Sequence, residues 1–391
     1  MTRKLYCLLL SGVLGCAAGR ATAQTADYAA FLNAVAERSP QLTAAQKSHT
    51  ATVRSLRTGL APDDPSVGLE YYFTDETRYE LAVEQTFDFP TVYHQRNKIS
   101  KLGISKAEQE YQATKRSIMM QVSDAYLALN YAVARLDILE SRHSNLQRVV
   151  AMYREGVEAG QHTVMELRNA QMLLTENENS ITLTEAERDE AAATLTQLNG
   201  GVAIEAQGYP QFRFTGTADE FVSAALAVDY ALQSVALDTL IAQRELKLSR
   251  NEWIPKLKVG YKVEIEGTRG TNALLAGISL PLWQNSGRTR YAKAQQAAAR
   301  AQHEALRSET EARLQALYGR YQSLVAALEA RSGDEEVGNY PALLKEAVAA
   351  GRISDIEALL GLSEWYDMRD SLMALEYAVA MAGASMAVCL M

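Results

Sequence analysis

The chain's 391 residues leave room for two or three domains, yet only 7% are aromatic while Ala and Leu abound. That balance suits long helices packed side by side better than a thick globular core. A net charge of −8 with no basic run argues against a nucleic-acid partner.

The first residues read as an export signal. Arg3 and Lys4 precede an apolar run from Leu5 to Leu14, and Ala21-Thr22-Ala23 supplies the small-x-small pattern of a cleavage site. A second reading uses Val13-Leu14-Gly15-Cys16, a lipobox-like sequence that makes Cys16 the lipidated first residue. Cleavage after Ala23 leaves Cys389 as the only cysteine, so no disulfide forms within the chain. No later stretch approaches the roughly 20 apolar residues of a membrane helix. What remains is a soluble periplasmic protein or a β-barrel.

Helix signals run from about Asp27 to Leu60, where Pro62 and Pro65 stop them. From Ser66 the period becomes two. Val67, Leu69, Tyr71 and Phe73 point one way, and Gly68, Glu70 and Tyr72 the other. After a turn at Thr74 to Thr77, Leu81, Val83, Gln85 and Phe87 alternate with Ala82, Glu84, Thr86 and Asp88, up to Pro90. A long helix follows, from about Gln95 to Val157. Its apolar positions Val122, Ala125, Leu129, Ala132, Leu136, Leu139, Leu146, Val150 and Tyr153 repeat every 3.5 residues, with His143 the one polar member of the series. This is a coiled-coil pattern, on a helix of roughly 90 Å. Gly160 is placed as the C-terminal cap, and Thr163 with Glu166 has the capping-box spacing for a helix returning to Leu198. Gly200 to Gly216 reads as a connector with a short strand at Gln211-Phe-Arg-Phe-Thr215, followed by a helix from about Asp219 to Glu252.

The chain then says the same thing again, about 190 residues on. Pro65-Ser-Val67-Gly-Leu69-Glu-Tyr71 returns as Pro255-Lys-Leu257-Lys-Val259-Gly-Tyr261, and Val157-Glu-Ala-Gly160-Gln-His-Thr163-Val-Met-Glu166 as Val348-Ala-Ala-Gly351-Arg-Ile-Ser354-Asp-Ile-Glu357. Leu257, Val259, Tyr261, Val263 and Ile265 alternate with Lys258, Lys262, Glu264 and Glu266, and the return strand ends at Pro281. Strands of about ten residues cross a tilted bilayer, but four cannot close a barrel, and an open edge in lipid leaves costly unpaired backbone groups. Oligomerisation follows. On that reading Glu70, Glu84, Lys258, Lys262 and Glu264 line a water-filled lumen; a solvated face of a soluble sheet has the same pattern.

Chemistry beyond this finds no support. His49, His94, His143, His162 and His303 are scattered without metal-ligand spacing, and there is no placed nucleophile, phosphate loop or dinucleotide fingerprint. The expectation is a non-enzyme with no cofactor and no metal site.

The ordered set of motifs resembles the TolC-like outer-membrane efflux proteins. It comprises Ser39-Pro40-Gln41-Leu42, Ala61-Pro62-Asp-Asp-Pro65, Glu84-Gln85-Thr86-Phe87-Asp88-Phe89-Pro90, Ser279-Leu-Pro281-Leu-Trp283 with Gly287 and Arg288, and the two Gly-x-x-Ser/Thr-x-x-Glu tips. The Gln-Thr-Phe-Asp-Phe-Pro segment looks most like the heavy-metal, CzcC/CusC-like branch. The resemblance implies a mainly α fold with a small β part, built from two structural repeats. A homotrimer would form a 12-stranded outer-membrane β-barrel continuous with a long periplasmic α-helical coiled-coil barrel. It also implies a periplasmic adaptor (membrane fusion protein) and an inner-membrane pump as partners, with substrate leaving through a passive duct. It places Glu166, Glu357, Arg352 and Asp355 at a charged tip constriction, and Gly160, Thr163, Gly351 and Ser354 in tip turns where the adaptor docks. The tips depart from many relatives in carrying Glu in place of Asp.

The expected division is a signal over 1–23, a first repeat over 24–199, a connector over 200–217 and a second repeat over 218–391. The first repeat holds strands at about 66–89 and a helical hairpin at about 95–199; the second holds strands at about 256–281 and a hairpin at about 287–386. The rival from another class is a soluble periplasmic coiled-coil adaptor or structural spacer.

Overall fold

The computed structural model describes residues 23–73, 78–332 and 339–391. Cys16, the rest of the leading segment and the Thr74 to Thr77 turn lie outside the described residues. In chain order the elements are α1 (Ala23–Arg38), α2 (Pro40–Ser55), β1 (Ser66–Tyr72), β2 (Arg78–Phe87), α3 (Pro90–Glu158), α4 (Val164–Leu198), α5 (Ala218–Ala227), α6 (Tyr230–Asn251), β3 (Lys256–Glu266), β4 (Arg269–Ser279), α7 (Arg288–Ser332), α8 (Tyr340–Ala349) and α9 (Asp355–Cys389).

Several boundaries correct the sequence reading. The helix expected from Asp27 to Leu60 is two helices, because Pro40 has no N–H to donate and restricts Ser39 to non-helical angles; Pro40 instead opens α2. The helix expected from Asp219 to Glu252 is also broken. The Asp229 carboxylate accepts from the backbone N–H of Leu232 at 2.7 Å, starting α6 as an N-cap. The long first-repeat helix starts earlier than expected, at Pro90, and its 69 residues make it about 100 Å long.

Two compact units emerge, each interleaving pieces of both repeats. Of the described residues, the first comprises 23–43, 115–228, 312–332 and 339–391. Its core follows the 3.5-residue pattern of α3. Val122, Leu129, Ala132, Leu136, Leu139, Leu146, Val150 and Tyr153 are all buried, and His143 is half-buried, bonded to Gln147 at 2.8 Å. A second cluster joins Phe221, Val222 and Ala225 of α5 with Leu314 and Tyr321 of α7 and Ala382 and Met386 of α9.

The connector packs on this cluster without forming a strand at 211–215. Its backbone carbonyls are taken by side chains: the Tyr321 hydroxyl donates to Phe212 O at 2.8 Å and the Tyr318 hydroxyl to Gly216 O at 2.6 Å. The Gly208 N–H donates to Asn130 Oδ1 at 2.6 Å. With these partners in place the backbone needs no ladder.

The stretch Ile356–Cys389 of α9 is long and apolar enough by composition to cross a membrane, contrary to the sequence expectation. Within the unit, Ala380, Ala382, Ala384, Met386 and Val388 are buried against protein, so part of this apolarity packs into the core.

The second unit comprises residues 44–114 and 229–311. It holds one antiparallel sheet in the order β1-β2-β3-β4, so β2 of the first repeat pairs with β3 of the second, and β1 and β4 are edges. Helical segments of α3 and α6 meet in the same unit through Lys106 Nζ and Asp238 Oδ1 at 2.7 Å.

Leu314 is 2% exposed at the centre of the α5–α7–α9 cluster. Replacing it by Ala removes buried surface and leaves a cavity, so Leu314→Ala is expected to destabilise the fold by about 2–5 kcal/mol, read from denaturant unfolding followed by circular dichroism.

Candidate functional site

The two tip turns share one geometry. Gly160 and Gly351 have φ of 71° and 64°, a left-handed conformation that a side chain would strain. Gly160 N–H donates to Val157 O and Gln161 N–H to Gly156 O; Gly351 N–H donates to Val348 O and Arg352 N–H to Ala347 O. This is the Schellman pattern, made twice. The helices then restart with full capping boxes. Glu166 Oε2 accepts from Thr163 N–H at 2.7 Å and from the Thr163 hydroxyl at 2.8 Å, while Glu166 N–H donates to Thr163 Oγ1 at 3.2 Å. Ser354 and Glu357 repeat these contacts at 2.8, 2.9 and 3.2 Å. Each hydrogen bond to the ionised carboxylate favours its charged form. The backbone N–H, followed by the hydroxyl, therefore holds Glu166 and Glu357 below the usual glutamate range.

Around these caps the tips differ. His162 Nδ1 lies 3.6 Å from Glu166, and its ring meets Tyr153 edge-on with centroids 5.1 Å apart. The second tip has Ile353 in the place of His162. Apolar contacts join the tips: Ile356 and Leu359 of α9 pack on the cluster of Val149, Val150, Tyr153 and Ala170. Arg352 is exposed, and the side chain of Asp355 lies outside the described residues. Thus Glu166 and Glu357 engage their own caps, and no ion pair among the described residues joins either to Arg352.

Farther along α3, two arginines reach α9. Arg142 pairs with Asp367 at 2.7 Å and donates to Ser363 Oγ at 3.2 Å, and Arg135 pairs with Asp370 at 3.1 Å. These residues are more than 200 positions apart in the chain, and no local pattern in the sequence links them.

The sheet presents two unlike faces. One carries Val67, Leu69 and Tyr71 of β1, Leu81, Val83 and Phe87 of β2, Leu257, Val259 and Tyr261 of β3 and Leu274 and Ile278 of β4, all exposed to the surroundings. The opposite face brings Glu70, Glu84, Lys258, Lys262 and Glu264 together. Lys258 pairs with Glu84, Lys262 with Glu80, and Glu264 with Arg78 at 2.6 Å; Glu70 accepts from the Tyr72 hydroxyl at 2.9 Å.

Arg78 and Glu80 were missed because the second strand was read from Leu81. Carrying its alternation two and four residues back from Ala82 finds both. Also missed was the pairing at the strand exit. Asp88, its side chain only 8% exposed, pairs with Arg96 at 2.9 Å and Lys256 at 3.0 Å, and its N–H donates to the Tyr93 hydroxyl at 2.9 Å. The Gln-Thr-Phe-Asp-Phe-Pro segment is thus a fastening of β2, β3 and the start of α3. Among the described residues no group of three or more His, Cys, Asp or Glu is placed to hold a metal ion.

The caps carry a pH dependence of definite sign. With folded pKa values below the ordinary 4.5, Glu166 and Glu357 stabilise the tips above that value and stop doing so as pH falls through the lower folded value. Amide protection factors, which remove the intrinsic slowing of exchange in acid, are expected to fall at residues 160–167 and 351–358 over that range. In Glu166→Gln/Glu357→Gln these factors are expected to be lower already at neutral pH and to lose the acid step.

Residues 31–201 match the family described as Outer membrane efflux protein. Comparison with curated proteins found no match. Among solved structures, CusC, in work on folding and transmembrane channel formation, is similar with a TM-score of 0.73 at 16% identity, over 93% of this chain and 91% of that one. A membrane protein from Pseudomonas aeruginosa gives 0.76 at 14% identity, over 95% and 94%. The open state of the Neisseria gonorrhoeae MtrE outer membrane channel gives 0.71 at 15% identity, over 93% and 88%. Residues 31–201 therefore resemble the outer membrane efflux proteins, and the chain shares the fold of these solved channel structures over more than nine-tenths of its length.

Proposed function

We propose that the protein is the outer-membrane channel of a tripartite efflux system, a passive duct for small molecules or metal ions received from a periplasmic adaptor and an inner-membrane pump. The observation that carries this is the four-stranded sheet with an exposed apolar face, a charged opposite face and two edges left unpaired among the described residues. In lipid such a sheet must be closed. Its strands alternate in direction and are even in number, so β4 of one copy meets β1 of the next in antiparallel sense. Repeating that contact around a threefold axis gives a closed ring of twelve. The family match supports the same reading.

The proposed organisation is an export signal over 1–23, with cleavage after Ala23 or lipid attachment at Cys16, repeats over 24–199 and 218–391, and a connector over 200–217. Gly160, Thr163, Gly351 and Ser354 form turns against which the adaptor docks. Arg352 and Asp355, with the capped Glu166 and Glu357, narrow the periplasmic mouth. Glu70, Glu84, Lys258, Lys262 and Glu264 line the lumen. Transport energy comes from the pump, so the duct itself needs neither catalytic residue nor cofactor.

Single-channel recording in planar bilayers tests this. Wild type is expected to give discrete conductance steps, and Glu166→Ala/Glu357→Ala larger ones. Equal conductance would reduce the glutamates to caps. A folded protein that leaves membranes in carbonate and never inserts would replace the channel by a soluble spacer.

A further inference from the structure

Strand pairing and barrel closure do not explain how the charges of the sheet's polar face are distributed. They gather along the seam where β2 of the first repeat meets β3 of the second. Arg78 lies opposite Glu266 but pairs with Glu264; Lys262 lies opposite Ala82 but pairs with Glu80; Lys258 lies opposite Thr86 but pairs with Glu84. All three pairs take the same two-residue diagonal, which makes them a ladder. The flanking strands are nearly uncharged on this face. β4 carries Thr271, Ala273, Leu275 and Gly277 there, with Arg269 set against Glu266 beside the turn, and β1 carries Ser66 and Gly68 before Glu70. Glu70 is held by the Tyr72 hydroxyl and has no cation among the described residues. Apart from the Glu266 and Arg269 positions and the Asp88–Lys256 pair at the strand exit, the patch sets four carboxylates against three cations.

Partly exposed ion pairs contribute little to stability. Their consequence here is the charge of the wall. Were the lysines absent, Glu80 and Glu84 would stand uncompensated in every copy, and a cleft with low-dielectric walls focuses such a field on passing ions.

We propose that the Arg78–Glu264, Lys262–Glu80 and Lys258–Glu84 ladder sets the ion selectivity of the channel by holding the barrel wall close to neutral, with Glu70 contributing a weak cation preference. This rests on the channel reading above. The test is the reversal potential of single channels under a potassium chloride gradient. Wild type is expected to show a potassium-to-chloride permeability ratio slightly above unity. K258M/K262M is expected to raise it several-fold, and E80Q/E84Q to shift it toward chloride. E84K/K258E, which restores one pair with its signs exchanged, is expected to match wild type; this variant and the glutamine variant keep the test decisive if the methionine variant does not assemble. Discrete conductance with a reversal potential that none of the charge-removing variants moves overturns the ladder proposal and leaves the channel standing. No conductance from folded wild-type protein overturns the channel reading, and the ladder with it.

Discussion

The structure turns on unpaired backbone at the two edges of a small sheet. Among the described residues, β1 and β4 each leave a row of N–H and C=O groups without a ladder partner in the same chain, and the face they share is apolar and exposed. Water would satisfy those edges but would not favour the apolar face. Lipid favours the face but leaves the edges unsatisfied at several kcal/mol per group. Pairing with further copies would resolve both demands, which is why the proposed assembly, membrane location and lumen follow together from one sheet.

The helical part answers a different demand, since it must reverse direction without fraying. Both hairpin tips use the same Schellman turn followed by the same capping box, down to matching hydrogen-bond lengths. Those contacts already engage the two tip glutamates. On the proposed channel reading, an opening at the tips would start from carboxylates with local partners and compete with their caps. The longer-range ties, Arg142 to Asp367 and Arg135 to Asp370, join α3 to α9 independently of those caps.

Local signals were legible where one physical rule governs a segment. Period-two alternation placed Glu70, Glu84, Lys258, Lys262 and Glu264 on one face, and the 3.5-residue series of α3 marked its buried stripe. Glycine followed by a Ser/Thr-x-x-Glu motif marked each tip. The same rules misled where tertiary partners decided. Gln211-Phe-Arg-Phe-Thr215 alternates like a strand, but Tyr321 takes the Phe212 carbonyl and Tyr318 that of Gly216, and among the described residues no strand lies beside it. The apolar end of α9 was passed over because its small residues are interrupted by Glu376 and Ser385, yet those small residues fit it to a core. The diagonal of the β2–β3 ion pairs depends on register between strands about 180 residues apart, which no local pattern encodes.

The central claim is that one face of the sheet meets lipid and the other meets water. Spin labels placed singly at Leu69 and Leu274 on the apolar face, and at Ala82 and Gly277 on the charged face, test it in reconstituted vesicles. The account predicts that relaxation by lipid-soluble oxygen dominates at the first two sites and relaxation by an aqueous nickel chelate at the other two. Equal access of the chelate to all four would contradict it, because a sheet wetted on both faces is not the wall of a membrane barrel.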